Sequence, residues 1–248
     1  MSESLDQRLT GRVAVVTGGS RGIGTAVASA LVERGADVVI CGRSDESLAE
    51  AKSLMTARLG AASGSGRLET VRADIRDATQ TLEVVSRAEA SFGGVDILVN
   101  NAGVGRFQDL ADQPVEEWLE VLETNLTGLF YCCRAALPAL RRRGGGWIVN
   151  VSSLAGSNPF AGGTAYCASK AGVDALSHAL MQEVRHENIR VSCVAPGSVD
   201  TRFADAPAGD ASWKLTAADV ARAVIDLLLH DPRSLPSRVE LRPARPRK

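Results

Sequence analysis

Thr17-Gly18-Gly19-Ser20-Arg21-Gly22-Ile23-Gly24 stands between the apolar run Val13-Ala14-Val15-Val16 and the helical pattern Ala26-Val27-Ala28-Ser29-Ala30-Leu31-Val32. Glycines between a strand and a helix let the backbone come close to a pyrophosphate, whose charge is favoured by free N–H groups and by the positive end of the helix dipole. A glycine-rich string alone decides little. Here a strand precedes it, a helix follows it, and a second β-branched run near 37–41 completes a strand-helix-strand unit.

The same alternation continues along the chain, which is the pattern of a parallel sheet buried on both faces. Strands are read near 12–17, 37–41, 67–73, 95–99, 146–151, 190–195 and 237–241, and helices from near Gly22, Asp45, Ala78, Thr124, Thr164 and Thr216. The expected fold class is therefore α/β, a Rossmann-type doubly wound sheet of about seven mostly parallel strands with helices on both faces. One domain spans 1–248. Ser63-Gly64-Ser65-Gly66 and Arg143-Gly144-Gly145-Gly146 read as turns too short to link separate domains, and Arg242 to Lys248 as a basic, proline-punctuated solvated tail.

Composition excludes several classes. With 28 Lys+Arg against 29 Asp+Glu, a net charge of −1 provides no bulk field for nucleic acid or an anionic membrane. No apolar run approaches the roughly 18 to 20 residues of a bilayer span. The acidic N-terminus lacks the features of a secretory signal, so a cytoplasmic location is expected. Five cysteines without Cys-x-x-Cys spacing predict neither disulfides nor a zinc cage, and His178, His186 and His230 have no mutual ligand spacing. No metal is expected.

The loop spacing, Gly-x-x-x-Gly-x-Gly behind Thr17, resembles that of the short-chain dehydrogenase/reductase family, and further segments extend the resemblance over nearly the whole chain. Asn100-Asn101-Ala102-Gly103 looks like the family segment that supports the sheet and flanks the adenosine half of the cofactor. Asp74 with Ile75 matches the adenine-contacting position, and Pro196-Gly197-Ser198-Val199-Asp200-Thr201 the segment bordering the nicotinamide amide. The resemblance thus implies cofactor contacts from Gly18, Ser20, Arg21, Gly22, Ile23, Gly24, Arg43, Asp74, Ile75, Asn101, Ala102, Gly103, Tyr166, Lys170, Pro196, Gly197, Val199 and Thr201.

A carboxylate ending the second strand would bind the ribose hydroxyls of NAD and repel the extra phosphate of NADP. This chain has Gly42-Arg43 there instead, with Arg21 inside the glycine loop. Two guanidiniums converging on a 2′-phosphate predict NADP(H); the alternative is a pair of solvated arginines.

Tyr166-Cys167-Ala168-Ser169-Lys170 opens a helical stretch, and the i,i+4 spacing puts phenol and ammonium on one face. A fixed cation there is expected to lower the phenol from its reference pKa of about 10 toward neutrality, where it exchanges protons with a carbonyl or alcohol oxygen. By the same resemblance Tyr166 is the general acid/base and Lys170 lowers its pKa and holds the nicotinamide ribose. Ser153, 13 residues before Tyr166 and preferred over Ser152, binds the substrate carbonyl, and Asn125 keeps a water in a proton relay to the lysine.

The segment of about 198–215 matches a substrate lid, here short and with few bulky groups, which suggests an open pocket. Arg202, Lys214 and Arg106 are candidate anchors for an acidic or phosphopantetheine-linked substrate, with solvated charges as the alternative. The expected activity is NADP(H)-dependent interconversion of a carbonyl and a secondary alcohol on a small molecule, with acyl thioesters and hydroxy acids among the candidates. The ending Val239-Glu240-Leu241-Arg242-Pro243 resembles the hydroxy-acid-oxidising branch more than the 3-oxoacyl reductases. A homodimer through helices 114–123 and 124–143, or a homotetramer, is expected. The second functional class is a dinucleotide-binding regulatory protein on the same fold without turnover.

Overall fold

Alternate residues of each apolar run enter different cores, because successive side chains of a strand point to opposite faces of its sheet. Ala14, Val16, Val38 and Ile40 join one buried cluster, whereas Val13, Val15, Val39 and Cys41 join the other. The computed structural model describes residues 9–59, 65–201, 203 and 211–245. Its strands are β1 (Val13–Thr17), β2 (Asp37–Gly42), β3 (Leu68–Arg72), β4 (Ile97–Asn100), β5 (Gly146–Val151), β6 (Ile189–Pro196) and β7 (Arg238–Leu241). They form one sheet in the order β3-β2-β1-β4-β5-β6-β7, and every neighbouring pair is parallel, so the sheet is more uniform than the mostly parallel one expected.

Helices α1 (Gly22–Glu33), α2 (Asp45–Leu59) and α7 (Ala217–Leu228) supply the first core through Val27, Leu31, Leu48, Met55, Val220 and Val224. The second is filled from α3 (Ala78–Phe92), α5 (Gly128–Arg142) and α6 (Thr164–Val184) by residues such as Val84, Val85, Leu129, Leu140, Val173 and Met181. Local signals set the helix ends. Asp77 accepts hydrogen bonds from the Thr79 and Gln80 N–H groups at the start of α3, Gly93 ends that helix at φ 86°, and Thr216 with Asp219 forms a capping box on α7.

The helices expected at 114–123 and 124–143 join without a break. Helix α4 (Val115–Leu122) runs through a π-helical turn at Glu123–Thr127 before α5 begins. Gly128, just past the turn, lets Ile75 lie against the helix: a Cβ there would come 2.9 Å from the Ile75 side chain. Such turns widen the hydrogen-bond ladder by one residue and reorient what it carries. Here it carries Asn125.

At the amino end of the sheet Asp96 accepts from the Val13 N–H at 2.9 Å and pairs with Arg12 and Arg143, both at 3.0 Å. The carboxyl end is different. Strand order reverses between β1 and β4, and the loops leaving them diverge around a crevice, the position at which ligands bind in open α/β sheets.

Candidate active site

The glycine loop leaves β1 with Gly18 at φ 63° and enters α1 through Gly22 at φ 57°, conformations that residues with a Cβ rarely adopt. Gly24 is required by contact instead: a Cβ there would lie 2.2 Å from the Gly18 carbonyl oxygen and 2.5 Å from Asn101 Nδ2. Asn101 holds the loop closed, its Nδ2 donating to the carbonyls of Thr17 at 3.0 Å and Gly18 at 3.1 Å, while the Asn101 and Ala102 N–H groups donate to Thr17 Oγ1. Arg21 precedes α1 in extended conformation, and no side chain caps the first turn. The opening N–H groups thus keep the capacity to bind an anion. Ile23 packs on the core behind the turn, and Thr201 lies across from it, with its methyl 3.4 Å from where a Gly22 Cβ would stand.

Arg43 is exposed at the end of β2, close enough to Asp74 to help hold its carboxyl below the ordinary range, although hydrogen bonds from Arg76 are the main cause. Neither Arg21 nor Arg43 forms an ion pair among the described residues. Ser20 lies beside them, its Oγ 3.3 Å from where a Gly42 Cβ would be. The Ile75 side chain is buried in the second core, so any contact it makes with a ligand falls to its backbone. On the far side the Gly197 N–H donates to the Leu241 carbonyl at 2.8 Å, and Val199 pairs with Leu215, so the segment after Pro196 is tied to β7 and to the start of the α7 region.

Ser153, Tyr166 and Lys170 converge at the carboxyl ends of β5 and β6. Ser153 caps a short 3₁₀ turn (Leu154–Gly156), accepting the Ala155 N–H at 3.1 Å and donating to the Pro196 carbonyl at 3.5 Å, and its hydroxyl lies close enough to the Tyr166 phenol to lower it. Ser152 faces the other way, buried, with Oγ donating to the Lys170 carbonyl at 3.3 Å. The Lys170 ammonium lies 5.7 Å from the centre of the Tyr166 ring and donates to the Val151 carbonyl at 2.9 Å. One such bond uses one of its three donors.

The electrostatics differ from the sequence expectation. Burial raises the Tyr166 phenol above its ordinary value, opposed by the neighbouring Ser153 hydroxyl, whereas the sequence predicts a shift toward neutrality. Burial acts on Lys170 as well, pulling its ammonium down to about 8. The spacing places the two groups on one face as expected, and burial is the largest influence on each. Cys193 nearby is pushed up to about 12, again chiefly by burial, so it remains a thiol.

Asn125 lies beside the Tyr166 and Lys170 pair. Its Nδ2 donates to the Val104 carbonyl at 2.9 Å and to Ser169 Oγ at 3.0 Å, and its Oδ1 accepts the Val104 N–H at 2.8 Å. These bonds join the loop after β4 to α6. Gly103 admits this side chain, since a Cβ there would stand 3.1 Å from Asn125 Oδ1 and 3.8 Å from Lys170 Nζ.

The substrate side holds three residues that the motif reading missed. Phe107 meets the Tyr166 ring edge-on at 5.4 Å between centroids, Phe203 lies 5.6 Å from Tyr166, and Phe160 lies 5.7 Å from Phe107. Each comes from the loop after a successive strand, β4, β5 and β6, and this placement of single phenylalanines was the signal available in the sequence. Of the three, Phe203 belongs to the expected lid segment, while Phe107 and Phe160 lie outside it. Of the candidate cationic anchors, Arg106 is ion-paired to Glu120 at 2.9 Å, and Lys214 donates its backbone N–H to the Ala211 carbonyl. Arg202 and residues 204–210 of the expected lid lie outside the described residues.

Comparison with known proteins agrees with this geometry. The chain is 41% identical over 196 residues, 78% of this chain and 72% of the relative, to a short-chain type dehydrogenase/reductase of Picea abies. It is 33% identical over 217 residues, 88% and 90% of the two chains, to an uncharacterised oxidoreductase of Staphylococcus aureus (strain USA300). Among solved structures, a metagenomic short-chain oxidoreductase in complex with NADP superposes with a TM-score of 0.82 at 36% identity over 96% of this chain and 99% of that one. An alcohol dehydrogenase from the archaeon Thermococcus sibiricus complexed with 5-hydroxy-NADP gives a TM-score of 0.85 at 29% identity, with the same coverage of 96% and 99%. The short chain dehydrogenase profile matches residues 12–210, and together with the fold and these relatives it shows that the chain belongs to the short-chain dehydrogenase/reductase family of oxidoreductases.

Proposed function

We propose that this protein is an NADP(H)-dependent oxidoreductase that interconverts a carbonyl and a secondary alcohol, with Tyr166 as general acid and base. The observation that carries the reading is the convergence of Ser153, Tyr166 and Lys170 at the same sheet edge as the uncapped start of α1. The residues present fit a dinucleotide: the N–H groups after Arg21 receive the pyrophosphate, Arg21 and Arg43 the 2′-phosphate, and Lys170 the ribose next to the nicotinamide. Asp74, Asn101, Ala102 and Gly103 border the adenosine half, and Pro196, Gly197, Val199 and Thr201 the amide. When bound, the cofactor supplies or accepts the hydride.

The chain's own residues handle the proton. The neighbouring Ser153 and Tyr166 hydroxyls each donate their one proton to the same carbonyl oxygen, polarising it and fixing its position. As negative charge develops there, the phenol gives up its proton, and the nearby Lys170 ammonium stabilises the phenolate left behind. Asn125 is a positioning residue in this scheme, holding Val104 and Ser169 around the pair. The raised phenol stays protonated at neutral pH and suits the reducing direction.

NADPH consumption against a panel of ketones, aldehydes and oxo acids tests the reading. Turnover with at least one carbonyl is expected, and kcat/KM for NADPH is expected to fall as the pH rises through about 8. The sign follows from Lys170: its ammonium, lowered to about 8 by burial, is charged and able to donate below that value and loses its proton above it. NADPH binding without turnover across the panel would favour a regulatory protein instead.

The chain is also proposed to act in the cytoplasm as a homodimer. Its five cysteines are all free and buried, as suits a reducing compartment, and no described helix is long and apolar enough to cross a membrane. Val115 and Leu119 on α4 and Phe130 on α5 are 66%, 47% and 45% exposed, an apolar stripe that a two-fold pairing of these helices would cover. Light scattering is expected to give twice the chain mass; a monomer at working concentration removes this part.

A further inference from the structure

We propose that Phe107, Phe160 and Phe203 form an aromatic box that makes this enzyme selective for apolar, aryl-bearing ketones and their alcohols, and that disfavours substrates carrying a carboxylate. The proposal rests on the reading of Tyr166 as proton donor, because the box is defined by its contact with that ring.

Only five phenylalanines occur in the chain, and three of them gather here. They remain 47%, 48% and 36% exposed, so their faces are not spent on the core. Isolated exposed rings need no explanation, but rings converging from three loops on one reactive group form an apolar surface that a ligand can cover. The backbone makes room for them. A Cβ on Gly105 would come 2.7 Å from Phe203 and 2.9 Å from Phe107, and one on Gly163 would come 2.6 Å from Phe160. A planar aryl group entering toward the Tyr166 hydroxyl meets ring edges and faces at the tilted and edge-on angles that aromatic pairs favour.

Charge reinforces the choice. Arg106, next to Phe107, has its guanidinium on Glu120 at 2.9 Å, and Gln108 Nε2 donates to Glu117 Oε2 at 2.6 Å. This flank therefore presents one neutralised cation and a second carboxylate. An anionic substrate would lose hydration against phenylalanine and find that cation already taken.

The test compares acetophenone, para-acetylbenzoate and acetone with NADPH, in wild type, Phe107→Ala and Phe107→Leu. Wild type is expected to show kcat/KM for acetophenone about 100-fold above that for para-acetylbenzoate. Phe107→Ala is expected to lower the acetophenone value about tenfold and Phe107→Leu less, with the acetone value falling by a clearly smaller factor than the acetophenone value in each variant. Equal or better use of para-acetylbenzoate overturns the proposal, as does an equal loss on acetone and acetophenone. Calorimetric binding of α-methylbenzyl alcohol gives a readout independent of turnover, with measurable binding by wild type and about tenfold weaker binding by Phe107→Ala expected. Absence of binding, or binding unaffected by the substitution, overturns the box. Turnover confined to oxo acids would leave the proposed activity standing and remove only this selectivity, whereas binding without any turnover would do the reverse.

Discussion

Tyr166→Phe is expected to lower kcat for carbonyl reduction by about a thousandfold while moving the NADPH dissociation constant by less than about threefold. The substitution deletes one hydroxyl and keeps the ring, so the contacts at 5.4 Å to Phe107 and 5.6 Å to Phe203 survive and the site is not collapsed. What disappears is the proton that must reach the developing alkoxide. Ser153 remains as a hydrogen-bond donor, but a serine hydroxyl is a far weaker acid than a phenol and cannot replace it. Single-turnover kinetics with a fluorescence titration of NADPH separates the two quantities. A fall in kcat of less than about tenfold, or a comparable loss of cofactor binding, would assign the chemistry to another group.

Arg43→Ala is expected to lower kcat/KM for NADPH by about 10- to 100-fold and to leave the value for NADH within about twofold, the difference being one charge-assisted contact to a phosphate. The structure explains why this arginine is available. Asp74 is the acidic group near it, and that carboxylate is already held by Arg76 Nη2 at 2.6 Å, so Arg43 is not drawn into a pair. Arg21 stands at the start of α1, where helix dipole and guanidinium favour the same anion. Steady-state kinetics with both cofactors checks the prediction. A wild type that prefers NADH, or an unchanged preference in the variant, would refute the two-arginine reading.

Much of this site was legible before any coordinates. Tyr166 and Lys170 are four residues apart on one helix, and helical geometry alone brings such a pair to one face. The glycine loop was legible for the same local reason, since a strand, a turn and a helix adjacent in sequence must be adjacent in space. Ser153 needed one further step, that a residue ending a parallel strand faces the crevice. Asn125 shows where local reading stops: the π-helical turn that carries it and the amide bonds to Val104 and Ser169 come from packing between segments 21 and 44 residues away.

Sequence by itself determined the sheet, its two cores and the position of the reacting groups along the chain, because hydrophobic period, glycine placement and i,i+4 spacing are local properties. Tertiary structure decided the rest. Whether Lys170 lowers the phenol or burial raises it depends on how much protein surrounds both groups, and whether Arg106 can hold an anion depends on Glu120, 14 residues further on. The proposed substrate surface is likewise made by rings from three separate loops, and only the pairing of β4, β5 and β6 in the sheet brings those loops together.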